Sequence, residues 1–213
     1  MKIFSTFIIS SSLLLAQLDN SATITKTGTT AAQFLKNGVD ARASAMGSAF
    51  TAMKGDLSSM YWNPAGLTSI GRMETMFMNS SWLAGIQFTH AAFAINLNAA
   101  GVIGFSMTSL SVPEDMVRTV EKPNGTGEYF DAGDLAMNFT YARKLTDQFS
   151  IGGNIKYIRQ NIWHASASSV AADLGALFVT PFNGIRLGAS LSNYGSEMQM
   201  TGRDQKFSID PDS

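Results

Sequence analysis

Apolar side chains recur at every second residue in stretch after stretch of this chain, and that period fits only strands with one oily face and one polar face. The clearest stretch, residues 134–143, puts Leu135, Met137, Phe139 and Tyr141 on one side and Asp134, Ala136, Asn138, Thr140 and Ala142 on the other. Six more stretches are expected at residues 72–79, 86–97, 101–110, 149–160, 170–180 and 185–193. The first is the weakest, with Met76 and Met78 opposite Thr75 and Phe77. In the second, Phe93, Ile95 and Leu97 alternate with Ala94 and Asn96, but Ile86 and Phe88 are out of phase. A β-bulge near His90 is therefore expected.

The connections sharpen the reading. Residues 98–100, 144–148 and 181–184 are short turns, whereas residues 111–133, 161–169 and those after Tyr194 are longer. Bacterial outer-membrane barrels alternate short periplasmic turns with long external loops, so the fold class expected is all-β, a transmembrane antiparallel up-and-down β-barrel. The loop with Pro113, Glu114, Asp115, Pro123, Asn124 and Gly125 is then external.

An export signal is expected as well. Lys2 precedes residues 3–16, apolar apart from Ser and Thr, and Gln17, Asp19 and Asn20 follow. This reads as a signal peptide over residues 1–16, cleaved after Ala16 or as late as Ala22; a buried N-terminal helix or an uncleaved anchor is the alternative. The run is too short to span a bilayer comfortably as a helix. Charged residues make up 15% of the chain, below the roughly 25% of soluble domains. Fifteen Lys and Arg against sixteen Asp and Glu give no basic surface for nucleic acid. With no Cys, disulfides, thiolate metal sites and a cysteine nucleophile are excluded.

Residues 23–72 lack strand periodicity and are expected to form a small N-terminal helical hatch or plug. Asp56 suits the N-cap of a short helix running to Tyr61 or Trp62, and Pro64 disfavours helical backbone at Asn63. Residues 73–213 are the barrel portion. An open edge of about ten residues in hydrocarbon costs several kcal/mol per unpaired backbone group. That total exceeds the roughly 5–15 kcal/mol net stability of a domain, so seven strands with the polar tail of residues 209–213 predict a fragment holding about half a barrel.

Three motifs carry a resemblance: Thr29-Thr-Ala-Ala-Gln-Phe-Leu-Lys36, Ala41-Arg-Ala-Ser-Ala-Met-Gly-Ser-Ala-Phe50 and Tyr61-Trp-Asn-Pro-Ala-Gly-Leu67. They resemble the PorV/PorQ family of outer-membrane proteins, which is related to the FadL-like barrels. Similar signatures continue through residues 125–134, 151–160 and 180–188, so the likeness covers nearly all of the chain after the signal. Ser48 stands where the family usually has a second Gly, and Lys54-Gly55 where it usually has acidic or small residues. The resemblance implies a barrel of about fourteen strands, of which roughly the N-terminal half is present here, with an N-terminal hatch. It further implies a role in the type IX secretion system: binding exported proteins by a C-terminal secretion domain, together with other secretion-system components, for surface attachment. The alternative within the same fold is a FadL-like outer-membrane channel for hydrophobic small molecules. A soluble secreted β-domain is a third reading.

Candidate sites are few. His90 and His164 lack a spaced partner for metal, no nucleophile elbow is present, and Gly125-Thr-Gly127 sits in a loop as turn chemistry. No cofactor and no enzymatic activity are expected. Tyr141, Phe149, Tyr157, Trp163, Phe178 and Tyr194 suit an interfacial aromatic girdle, with an ordinary core as the other reading. Asp134, Lys156, Asp173 and Arg186 lie on polar strand faces, as a lumen network or as simply satisfied pairs. Asn63, Pro64, Ala65 and Gly66 form the family motif, expected either to anchor the hatch as a structural turn or to gate a lumen.

Overall fold

The computed structural model describes residues 31–203; the expected signal peptide and the polar tail of residues 209–213 lie outside them. The strands are β1 Met73–Ser81, β2 Gln87–Asn96, β3 Val102–Met116, β4 Tyr129–Lys144, β5 Phe149–Ile162, β6 Ala165–Val179, β7 Arg186–Gly195 and β8 Thr201–Gly202. They form one antiparallel up-and-down sheet in chain order from β1 to β7, with β8 also beside β6, at Ala165 and Ser166. No helix among the described residues is long and apolar enough to cross a membrane, which says nothing of strands.

Two expectations need correction. The register from β1 through β2 to β3 runs unshifted past His90, so the bulge placed there is absent. Phe88 instead keeps phase and points inward, 4% exposed, beside a cleft that it lines with Lys36 and Asp40 of the segment before β1. Register shifts occur at Val112/Asp115 and at Ala172/Leu174. In the first, Pro113, which has no N–H to donate to the ladder, occupies the irregular stretch of β3.

The second correction concerns the loops. Residues 161–169 are not a long connection: β5 and β6 pair to their ends across a two-residue turn, Trp163-His164, with Trp163 at φ 50°. Likewise β3 and β4 pair out to Met116 and Tyr129, leaving residues 117–128 as the loop between them. At this end of the sheet, the loop end, that connection is the only long one among the described residues. The opposite end, the turn end, carries residues 97–101, 145–148 and 180–185.

Burial is inverted relative to a water-soluble sheet. Outward side chains are large and apolar, with Ile155 65%, Leu174 63% and Leu187 61% exposed, while inward Asn154, Lys156 and Asp173 are at most 5% exposed. The apolar band has limits. On β5 the outward Phe149, Ile151, Ile155 and Tyr157 give way to Arg159 and Asn161, and on β6 Val170 gives way to Ser168 and Ser166. At about 3.3 Å per residue the band on β5 measures roughly 26 Å along the strand.

The inward face is covered by residues 31–72, which include helices α1 Ala41–Ala45 and α2 Ser59–Trp62 and a 3-10 helix Pro64–Ser69. Leu57, Met60, Leu67 and Ile70 pack on Ala92, Ala94, Val102 and Ala142; Phe34 and Leu35 pack on Ala136, Ile158 and Ala171. In the first of these clusters the large side chains come from the covering segment and the wall gives mostly Ala; in the second the wall adds Ile158. Small inward residues leave the room that the segment fills.

Candidate functional site: the seat of the covering segment

Asn63 joins α2 to the 3-10 helix in extended backbone, φ −156° and ψ 102°, because Pro64 clashes with a helical residue before it. Pro64 then opens the 3-10 helix, where its missing N–H is no loss. The expected cap shifts slightly: Ser58 is the N-cap residue of α2, and the Asp56 carboxylate accepts from the Ser58 N–H at 2.9 Å, one turn earlier.

Asn63 is fully buried and its side chain is satisfied on both atoms. Its Nδ2 donates to Thr51 O at 2.7 Å and to Ala176 O on β6 at 3.0 Å, while Oδ1 accepts from Ala65 N–H at 3.1 Å. One amide therefore ties the preceding loop, the 3-10 helix and the wall together. The wall is shaped to match. Gly152 and Gly175 face each other across β5 and β6, and a Cβ on Gly152 would sit 2.5 Å from the Pro64 carbonyl carbon. A Cβ on Gly175 would fall on the Asn63 side-chain oxygen. Gly66 itself has Ser59 and the Met53 carbonyl against the place of its missing Cβ. Thr68 adds a hydroxyl bond to Ser150 at 3.0 Å. Asn63, Pro64 and Ala65 thus sit against the backbone of Gly152 and Gly175, while Gly66 packs within the covering segment.

Above this seat runs a buried polar lane. Lys156 Nζ lies 2.8 Å from Asp173 Oδ2, with the side chains 6% and 1% exposed. Asn154 Nδ2 donates to Asp173 Oδ2 at 2.6 Å and to Met60 O of α2 at 2.8 Å. The register shift at Ala172/Leu174 turns Asn193 inward in left-handed backbone, φ 58°. Its N–H donates to Asp173 Oδ1 at 2.7 Å and its Oδ1 accepts from Lys156 at 2.8 Å. Sequence reasoning placed Lys156 and Asp173 on polar faces but missed Asn193. Its signal was an Asn late in a strand, a residue type that tolerates left-handed backbone.

Asp134 belongs to a second cluster. It accepts from Gln160 Nε2 at 2.9 Å, and Gln160 Oε1 accepts from the Ala32 N–H at 2.7 Å. Arg186, at the turn end of β7, joins neither cluster. Tyr61, also missed, donates its hydroxyl to Leu35 O and to Asn37 O, the latter at 2.8 Å, and meets His90 edge to face. Burial first, and the Asp173 carboxylate second, push the Tyr61 phenol well above the ordinary tyrosine range. His90 Nδ1 is bonded to Thr108 Oγ1 at 2.8 Å, while His164 stacks on Trp163 and meets Arg203. The six aromatics fall at two levels: Tyr141, Phe149 and Phe178 toward the turn end, and Tyr157, Trp163 and Tyr194 toward the loop end.

A cleft of about 520 Å³ opens beside β1, lined among others by Lys36, Asp40, Met78, Trp82 and Phe88. No curated protein matches the chain. The description of the type IX secretion system protein PorV, taken as a family, matches residues 20–205, most of the sequence and every strand described above. The covering segment with its Asn63 to Gly66 seat and the sheet that holds it are therefore those of a member: this chain belongs to the PorV family of type IX secretion system proteins.

Proposed function

We propose that the chain forms wall and plug of an outer-membrane β-barrel that binds exported proteins by their C-terminal secretion domain and passes them to the surface attachment machinery. The observation that carries the membrane half of this reading is the inverted burial of the sheet. In water each large apolar side chain left exposed forgoes about 1.5–3 kcal/mol, and a continuous band of them is an aggregation surface. In lipid the same band is at rest. Its roughly 26 Å length along β5, tilted by about 40°, approaches the height of the apolar belt of such barrels. On this reading the barrel has about fourteen strands, the signal peptide of residues 1–16 is removed on export, and the loop end faces outside.

Membership in the PorV family supports the secretion half, with exported proteins and other secretion-system components as partners. Affinity purification of the full-length protein from detergent extracts tests it: exported proteins sharing a C-terminal domain are the expected companions. Recovery of lipid alone would overturn this role and favour a FadL-like channel for hydrophobic small molecules. One observation favours that second reading, the cleft where Trp82, Phe88 and Met78 stand near the Lys36 ammonium.

A further inference from the structure

The covering segment descends. Ala32 is bonded to Gln160, two residues before the end of β5 and already beyond Tyr157 and Arg159, where the outward apolar band stops. Phe34 and Leu35 pack lower, on Ala136, Ile158 and Ala171, and the carbonyls of Leu35 and Asn37 receive the Tyr61 hydroxyl. Thr51, Asn63 and Thr68 lie lower still, against Ala176 and Ser150 near the turn end. Ile70 O and Arg72 O bond Asn96 at the last residue of β2, and β1 then climbs back toward the loop end. The segment therefore starts at the loop end of the wall and, after folding back so that Ser58 meets Asp40 and Tyr61 meets Leu35, finishes at the turn end, and its first described residue stands at the loop-end mouth.

We infer that the plug is threaded from the cell exterior, so that Ala31 and Lys36, both exposed, open to the outside rather than to the periplasm. This rests on the proposed membrane reading, which sets the loop end outside. These 213 residues contain no Cys, and any Cys elsewhere in the full-length protein is first replaced by Ser. In the full-length protein, Ala31→Cys and Lys36→Cys are compared with Asn124→Cys in the 117–128 loop and Asp147→Cys in the 145–148 turn, using a membrane-impermeant maleimide on intact and permeabilised cells. The expected result is an intact-to-permeabilised ratio near one for Ala31→Cys, Lys36→Cys and Asn124→Cys, and near zero for Asp147→Cys. Labelling of Ala31→Cys and Lys36→Cys only after permeabilisation, with Asn124→Cys still labelled on intact cells, overturns the threading and leaves the membrane reading intact. Reaction only after unfolding overturns it too, because the plug start is then enclosed. Asp147→Cys labelled and Asn124→Cys protected on intact cells would instead invert the orientation itself.

Discussion

Asn63 makes three hydrogen bonds from a fully buried position, so Asn63→Ala takes the side-chain partner from the Thr51 carbonyl and the Ala65 N–H and cuts the tie to the Ala176 carbonyl, which lies in a strand paired on both sides. Each unsatisfied buried group costs about 1–3 kcal/mol, and a loss of about 2 kcal/mol or more in chemical unfolding of the detergent-solubilised protein is expected. An unchanged midpoint would show that the seat is not a fastening. The Lys156–Asp173 pair behaves differently according to which partner goes. Lys156→Ala strands a buried carboxylate and should cost about 3–5 kcal/mol, while Lys156→Met with Asp173→Leu should cost clearly less. Equal losses in the same unfolding assay would contradict that pairing. Tyr61 supplies a pH signature. Its pKa is raised in the folded state, so the stability it contributes is present below the unfolded value near 10 and is lost as pH rises above it. Tyr61→Phe should therefore flatten the alkaline fall in stability, with no change in the phenolate absorbance reached at about pH 10.5. An identical alkaline fall in both proteins would refute the burial argument.

At the scale of elements, β5 shows where alternation misleads. Its oily signal ends at Tyr157, and beyond Arg159 the outward Asn161, Ser166 and Ser168 read as loop although they continue a paired ladder. Hydrophobic period marks the part of a strand that touches an apolar medium, and backbone pairing extends past it. Phe88 misled in the opposite way: an apolar residue on the inward face looked like a slipped register because the segment beside it on that face has no periodicity of its own. The Pro64 break at Asn63 and the main run of all seven expected strands were legible, because they depend on local sterics and on repeated alternation. The Asn193 contact was not, since it depends on a bulge that joins β6 to β7. The band limit is testable. Ile155→Lys, outward in the middle of β5, should destabilise the membrane-embedded protein by about 2–4 kcal/mol, and Ser168→Lys, beyond Val170, by no more than about 1 kcal/mol. Equal effects in lipid-refolding titrations would place the boundary elsewhere.

At the scale of the whole molecule, Leu57, Met60, Leu67 and Ile70 of the covering segment pack on Ala92, Ala94, Val102 and Ala142 of the wall, so neither surface is filled without the other. Boiled and unboiled samples of the full-length protein should migrate differently on a detergent gel, and identical migration, or a monomer freely soluble without detergent, would defeat the membrane reading. The Gly152 and Gly175 backbones touch Pro64 and Asn63 so closely that a single methyl has no room between them. A stopper fitted that tightly to these staves leaves no passage along its flank for a polypeptide. On the proposed secretion reading, a cargo polypeptide would therefore meet this part of the wall at the rim or on the outer surface, as with a porter rather than a pipe.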